Sequence, residues 1–340
     1  MTTAGAKISI VGERAAFFWA GCAAISAGVL LHLPMLAMAH AMGNHLKGMP
    51  MDGGMWLGMA LIAIGVPLAC FGALPKGARM HGADAGTDYE APDSTPLGRW
   101  HAATLAVLTL GLVIDVMKPA TLGFVLPGMA AEYGIAKSQV ALLPLVALTG
   151  TTLGSFLWGW LADVYGRRVS ILLSTILFVS TAICGAMPAF GWNLVMCVLM
   201  GISAGGMLPV IYTLLAEVMP PRHRSWVLVL VGGTGLVGGY LAASGAAYVL
   251  EPVYGWRALW LQGFPSGLLL LALAKFIPET PRFLAERGRI AELARMRERF
   301  GLAPKPRAET APTEAPAATA GQPRITAALI MTALCWSFVN

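Results

Sequence analysis

Charged side chains are scarce in this sequence, and their scarcity excludes a water-soluble globule. Asp, Glu, Lys and Arg make up 12% of the 340 residues, 57% are hydrophobic, and the mean hydropathy is +0.69. Soluble domains typically carry about 25% charged residues and about 45–50% apolar residues. The composition therefore indicates an integral membrane protein.

Cysteine is also rare, and its placement argues against two cysteine-based architectures. The chain has five cysteines, all inside apolar runs and without a closely spaced pair. Neither a disulfide framework nor a zinc site follows from such a distribution. The sequence also lacks enzyme motifs that would compete with a membrane function, so we expect no catalysis and no cofactor.

Apolar runs of membrane-spanning length follow one another along the chain. At 1.5 Å per residue, about 20 apolar residues cross a hydrocarbon core of about 30 Å. The sequence predicts eight complete spans and the beginning of a ninth near residue 326. The complete spans are expected at 15–39, 54–74, 102–128, 140–162, 169–189, 192–216, 226–250 and 257–277.

Lys and Arg lie almost entirely on one side of the predicted spans. The opposite side holds Lys47, Lys137 and Arg257, and Lys118 lies within a span. Because cytoplasmic loops retain Lys and Arg, this asymmetry predicts an inner-membrane protein with both termini in the cytoplasm. It also accounts for the net charge of +6 without a nucleic-acid partner, so membrane lipid is the expected surrounding.

A very short charged loop, GWLADVYGRR at residues 159–168, joins two of these spans. Gly159 is expected where the two helices converge, and Gly166 at a turn with positive φ. Asp163 is expected at a helix end, and Arg167 and Arg168 on the cytoplasmic side, which retains cations.

The spacing G-x-L-A-D-x-x-G-R-R resembles the loop between the second and third core helices of the major facilitator superfamily of secondary transporters. Two further motifs resemble the sugar-porter branch and its organic-acid relatives: Glu217 seven residues before Arg224, and PETPRFL at 278–284. The resemblance covers residues 102–300. It implies an all-α membrane helix bundle, with a six-helix half of this superfamily preceded by two extra transmembrane helices.

The resemblance implies a secondary transporter that moves a small organic solute, such as a carboxylate or a sugar, by alternating access. Transport would be coupled either to protons or to the solute gradient. In such folds the site lies near the bilayer midplane between two six-helix halves, so a C-terminal half is an expected partner. The expected segments are two extra helices at 1–75, a cytoplasmic linker at 76–101, the six-helix bundle at 102–280, an amphipathic helix with a disordered central loop at 281–325, and the start of a truncated further helix at 326–340.

The cytoplasmic motifs predict a charged rim. Ion pairs at this rim would latch one conformational state and release in the other. The alternative is a solvated charge cluster that contributes little. The charged rim residues are Arg167, Arg168, Glu217, Arg224, Glu279 and Arg282.

Asp115 and Lys118 are ionisable residues inside the predicted span at 102–128. A charge in a span costs about 2.5–3.5 kcal/mol on insertion scales and usually faces a cavity. We therefore expect both to face the transport cavity, with Asp115 accepting a proton or orienting the solute. Lys118 would hold Asp115 ionised or pair with an anionic solute. The alternative is that the two charges, three residues apart on one helix face, neutralise each other.

A Met- and His-rich external loop supports a second hypothesis, a membrane protein that binds or senses copper. Thioether and imidazole groups suit Cu(I), but methionine is also an ordinary packing residue of apolar helices. The candidate ligands are His40, Met42, His45, Met49 and Met51.

Overall fold

The computed structural model describes residues 14–74 and 89–304, and they form an all-α bundle with one pair of two-residue strands. Strand β1 (Tyr89–Glu90) pairs antiparallel with β2 (Ala303–Pro304). The helices are α1 (Ala15–Leu30), α2 (Leu33–Ala41), α3 (Gly53–Ala73), α4 (Arg99–Tyr133), α5 (Lys137–Val140), α6 (Leu142–Tyr165), α7 (Arg167–Ser180), α8 (Phe190–Ala204), α9 (Met207–Val218), α10 (Pro221–Leu261), α11 (Gly263–Ala272), α12 (Pro281–Glu286) and α13 (Ile290–Phe300).

The described part of the chain contains seven helical segments long and apolar enough to cross a membrane, and the shorter apolar helix α11 follows them. This makes the chain a multi-pass membrane protein. The expected boundary between the spans at 226–250 and 257–277 agrees with a kink inside α10, because Gly255 lies between the two spans and separates two helical stretches. Gly255 breaks α10 with φ 70° and ψ 178°, so the last expected span consists of the end of α10 together with α11. The ninth expected span lies outside the described residues.

The extra helices pack onto the core instead of standing apart from it. Helices α1 and α3 lie side by side, and both contact α7. Helix α7 is consequently almost completely enclosed by protein. On the other side of the bundle, α6 and α8 approach so closely that a Cβ added at Gly201 would collide with the backbone of α6 at Ala147. Small residues allow such close helix contact in membranes.

The amphipathic helix expected after the sixth core span is α13. Its apolar side chains Leu293, Met296 and Phe300 are buried, and the Phe300 ring meets the His101 ring edge-on at 5.0 Å. Helix α13 therefore packs on the first turn of α4. The rest of the expected central loop, beyond Pro304, lies outside the described residues.

Candidate functional site

The turn between α6 and α7 is built around the carboxylate of Glu279. Its Oε1 accepts hydrogen bonds from the backbone N–H groups of Arg167 at 2.8 Å and Thr280 at 3.1 Å. Because α7 begins at Arg167, the carboxylate meets the N–H groups that a helix start leaves without intrahelical partners. Gly166 has φ 102°, and a Cβ added there would collide with the Glu279 carboxylate, so this position requires glycine.

Glu279 is buried, with 7% of its surface exposed. Burial raises the pKa of its carboxyl above the ordinary value of 4.5, and the N–H groups of Thr280, Arg167 and Arg168 oppose part of that rise. Between 4.5 and the raised pKa, the folded chain binds more protons at Glu279 than the unfolded chain does. The contribution of Glu279 to stability therefore falls as pH rises through this window.

Arg167 connects three helices at the rim. Its NH2 lies 3.2 Å from Asp163 Oδ1 on α6 and 3.5 Å from Glu217 Oε1 on α9, while its NH1 donates to the Ala162 carbonyl at 3.3 Å. The guanidinium is 17% exposed and Glu217 is 24% exposed, whereas Asp163 is 75% exposed. Solvent screens the Asp163 pair most, so Glu217 is the stronger partner.

The other predicted rim charges have different partners. Arg168 donates to the Ala274 carbonyl at 3.3 Å. Arg224 pairs with Glu90 of β1 at 2.9 Å, a residue that the motifs did not indicate. Arg282 pairs with Glu286 at 3.0 Å and also attracts Glu217 electrostatically. The structure thus gathers most of the predicted rim around Arg167 and Glu279, with Arg224 paired separately.

The reason given for Gly159 is wrong. A Cβ added at this position meets nothing within 4 Å among the described residues, so the helices do not converge there. The close contact of α6 is made instead at Gly150 and Gly154, which lie against the backbone of α8 at Val198 and Ile202. Gly159 lies on a different face of the same helix.

These two motif glycines provide a matched test. We expect Gly166→Ala to lower stability by at least about 1–2 kcal/mol, because alanine disfavours positive φ and its methyl displaces the Glu279 carboxylate. Gly159→Ala should change stability by less than about 0.5 kcal/mol, as for an uncrowded surface site. Denaturant titration of both variants in detergent measures the difference. Equal stabilities would contradict the assigned geometry of the turn.

Lys118 is fully buried inside the bundle. Its Nζ donates to the Phe178 carbonyl at 2.7 Å and to Thr181 Oγ1 at 2.5 Å, and lies 4.4 Å from the centroid of the Phe178 ring. These partners stand at the end of α7 and just after it. In the described half the Lys118 ammonium therefore points into the six-helix bundle, and its exposure to a transport cavity between two halves stays a prediction.

Asp115 is also buried, but its environment differs from that of Lys118. Its exposed fraction is 5%, and Oδ1 has no hydrogen-bond partner among residues 14–74 and 89–304. Lys118 Nζ donates to Phe178 and Thr181, and no ion pair joins it to Asp115 within the described residues. A direct ion pair between the two charges therefore does not describe this structure. A buried carboxylate oxygen without a partner is uncommon and indicates either a bound proton or an absent ligand.

Sequence reasoning missed a buried ion pair on the opposite side from the rim. Arg257 NH2 lies 2.6 Å from Glu132 Oε1, Arg257 Nε lies 3.1 Å from Oε2, and the side chains are 1% and 2% exposed. Arg257 NH1 also donates to the carbonyls of Gly185 at 2.8 Å and Met187 at 2.9 Å. This arrangement ties α4, the segment after α7 and the end of α10 together.

The same pair holds the loop of the extra helices. Glu132 Oε1 accepts the backbone N–H groups of Leu46 at 2.7 Å and Lys47 at 3.0 Å, and Lys47 Nζ donates to the Tyr133 carbonyl at 2.7 Å. The sequence contained one signal for this pair. Glu132 follows the span predicted at 102–128 and Arg257 begins the span predicted at 257–277, so both were expected on the external side.

The candidate copper ligands differ in their surroundings. Met49 and Met51 pack against the hydrophobic core, whereas His40, Met42 and His45 are exposed. The His40 ring stacks near Tyr254 at 5.2 Å. Across the described ranges, the structure has no cluster of three His, Cys, Asp or Glu residues able to hold a metal. The copper hypothesis gains no support from this geometry.

An apolar cavity of about 810 Å³ lies between α2 and the region from Leu250 to Pro265, but it is lined by neither Asp115 nor Lys118.

Most of the chain is similar to a known protein family. The sequence profile of the Major Facilitator Superfamily matches residues 108–340. The chain belongs to the Major Facilitator Superfamily. The match begins inside α4, so the extra helices precede the matched region.

Two superfamily relatives illustrate the similarity. The niacin transporter NiaP of Acinetobacter baylyi strain ADP1 is 30% identical over 203 residues, which are 59% of this chain and 46% of that protein. The 4-hydroxybenzoate transporter PcaK of the same organism is 29% identical over 228 residues, which are 64% of this chain and 49% of that protein. This chain spans about half the length of these relatives.

A solved superfamily structure shares the fold. The xylose transporter XylE from E. coli, in a partially occluded inward-open conformation, aligns with a TM-score of 0.53 and 19% identity over 59% of this chain and 54% of that chain. This likeness supports the all-α membrane bundle predicted from the sequence.

Proposed function

We propose that this chain forms the N-terminal six-helix half, with two extra helices, of a secondary transporter that moves a small carboxylate by alternating access. The observation that carries the proposal is the rim, where Arg167 joins α6, α7 and α9 through ion pairs with two acids. Such pairs can hold one conformational state and separate in another. Both relatives described above are named as transporters of carboxylates, niacin and 4-hydroxybenzoate. A sugar remains the alternative solute of the sequence-based hypothesis.

Asp115 is the proposed coupling residue. Its Oδ1 lacks a partner among the described residues, and an ionisable group inside a span usually serves transport. Asp115 exchanges a proton or orients the solute, whereas Lys118 has its own acceptors and holds the end of α7 against α4. The solute lies between this half and a C-terminal six-helix half, which completes the cavity.

The proposed setting is the inner membrane. The cation asymmetry of the sequence places the rim and α13 in the cytoplasm and the loop containing Lys47 outside. Glu132 and Arg257 then fasten the extra helices to the core at the external end. The proposed coupling is solute–proton symport, in which Asp115 carries the proton.

The test is uptake by a transporter that combines this chain with a C-terminal six-helix half, in proteoliposomes with an imposed proton gradient. We expect saturable uptake of labelled 4-hydroxybenzoate or niacin. Asp115→Asn should lose gradient-driven accumulation but retain exchange of solute across the membrane, because asparagine preserves the size of the side chain and cannot carry the proton.

Two controls define what would refute this proposal. Empty liposomes fix the background, and xylose in place of the carboxylates tests the sugar alternative. Absence of saturable niacin and 4-hydroxybenzoate uptake by folded protein would contradict transport of this solute class, and saturable xylose uptake in its place would support the sugar alternative. Normal accumulation by Asp115→Asn would remove Asp115 from the coupling role while leaving transport itself intact.

A further inference from the structure

A small cavity of about 240 Å³ lies beneath α13, beside the rim and separate from Asp115. Its walls are the start of α4, the segment at 275–279 and one face of α13. The volume is below the roughly 300–1,000 Å³ of pockets for drug-sized ligands, so the cavity suits a small group. The ionisable residues that line it are Arg168, Lys275, Glu279, Arg289, Glu292, Arg295 and Arg299.

The positive charge in this cavity exceeds the negative charge. Glu292 is already neutralised by Arg289, whose Nε and NH2 donate to its two carboxylate oxygens at 2.8 and 2.7 Å. Glu279 is engaged by the backbone at the start of α7. The lining therefore carries five cations, those of Arg168, Lys275, Arg289, Arg295 and Arg299, against the two acids Glu279 and Glu292. Like charges held together repel each other unless an anion joins them.

The geometry of these cations favours an anion over solvent alone. Arg168 Nε is buried and has no hydrogen-bond partner within the described chain. The Arg299 guanidinium lies 4.2 Å from the centroid of the Trp100 ring, which fixes its position at the cavity wall. Planar guanidinium groups bind phosphate oxygens through paired N–H groups, and lysine adds a point charge.

We propose that the cavity binds a phosphate group, carried either by an anionic phospholipid or by a free phosphorylated molecule. Trp100 stands at the beginning of one span and Lys275 at the end of another, and both residue types are common at the level of lipid headgroups. A phosphate at this point bridges Arg168 at the start of α7 to Arg295 and Arg299 on α13. It thereby holds α13 against the bundle beside the rim. The proposal does not rest on the proposed transport function, although Arg168 and Glu279 belong to both the cavity and the rim.

The experiment compares two double variants with equal loss of charge. The cavity variant, Arg295→Gln with Arg299→Gln, removes two cavity cations. The control variant, Arg222→Gln with Arg297→Gln, removes two arginines outside the cavity. Arg222 is exposed, and Arg297 on α13 lies over the Tyr89 ring. Each chain is purified in detergent from a membrane containing equal phosphatidylglycerol and phosphatidylcholine, and the retained lipids are measured by mass spectrometry. A second arm measures thermal unfolding in 10 mM inorganic phosphate against 10 mM chloride at matched ionic strength.

For a lipid ligand, we expect at least fivefold enrichment of phosphatidylglycerol on the wild-type chain and on the control, and loss of this enrichment in the cavity variant. For a free ligand, phosphate should raise the unfolding temperature of wild type and control but not of the cavity variant. Lys275→Gln, at an exposed position, repeats both arms if the double variant unfolds. Equal lipid retention and equal phosphate response in all chains would overturn the proposal.

Discussion

Replacing Arg257 with glutamine should destabilise the chain by about 3–5 kcal/mol, the usual cost of leaving one member of a buried ion pair without its partner. Arg257 is 1% exposed and joins Glu132 through two close contacts. Without the guanidinium, the Glu132 carboxylate stays buried, the Gly185 carbonyl loses the Arg257 donor, and the Met187 carbonyl keeps only the donor from the Tyr133 hydroxyl. The backbone N–H groups of Leu46 and Lys47 then donate to a carboxylate that Arg257 no longer holds in place, so the external loop should loosen as well.

Denaturant titration of the chain in detergent measures this effect, with Arg222→Gln as the control that removes an exposed arginine. The double replacement Glu132→Gln with Arg257→Met should recover part of the loss, because it removes both buried charges. Hydrogen exchange at residues 44–50 should rise in Arg257→Gln only. A change below about 1 kcal/mol would show that the pair does not fasten the extra helices to the core.

The helices were predictable because membrane burial leaves a simple signal. Apolar runs of about 20 residues identify spans, and the short loop at 159–168 identified the α6–α7 hairpin. The kink at Gly255 was also predictable, because Glu251 and Arg257 interrupt the apolar run on either side of it and separate the spans expected at 226–250 and 257–277. The packing of α1 and α3 on α7 was not predictable, because apolar helix faces that contact lipid and those that contact protein have similar composition.

For the charged residues as well, part of the arrangement was predictable from the sequence and part was not. Spacing indicated that Arg167, Glu217 and Glu279 share one rim, and the structure joins Arg167 to both acids. Spacing did not indicate where the Lys118 side chain points. Residues three apart share one helix face, but their spacing does not show which acceptors lie opposite that face. Glu132 and Arg257 are 125 residues apart in sequence, and no local pattern links them.

Loss of the Arg167 guanidinium should disable transport without unfolding the protein. The contact with Glu217 is an ion pair at 3.5 Å that is partly shielded from water, so its loss should change the balance between rim-closed and rim-open states by about 1–3 kcal/mol. A change of that size corresponds to roughly a 5- to 150-fold shift in the ratio of the two states. The screened Asp163 contact adds less. Arg167→Gln should therefore populate the rim-open state and lower uptake at least about fivefold.

The most direct measurement is initial uptake of labelled 4-hydroxybenzoate by the transporter containing both halves, comparing Arg167→Gln and Glu217→Gln with the exposed-arginine control Arg222→Gln. We expect both rim variants to lose at least about four-fifths of the uptake, while the control keeps the wild-type rate and all four proteins unfold within a few degrees of one another. Wild-type uptake by folded Arg167→Gln would contradict a rim latch and, with it, the proposed route of alternating access.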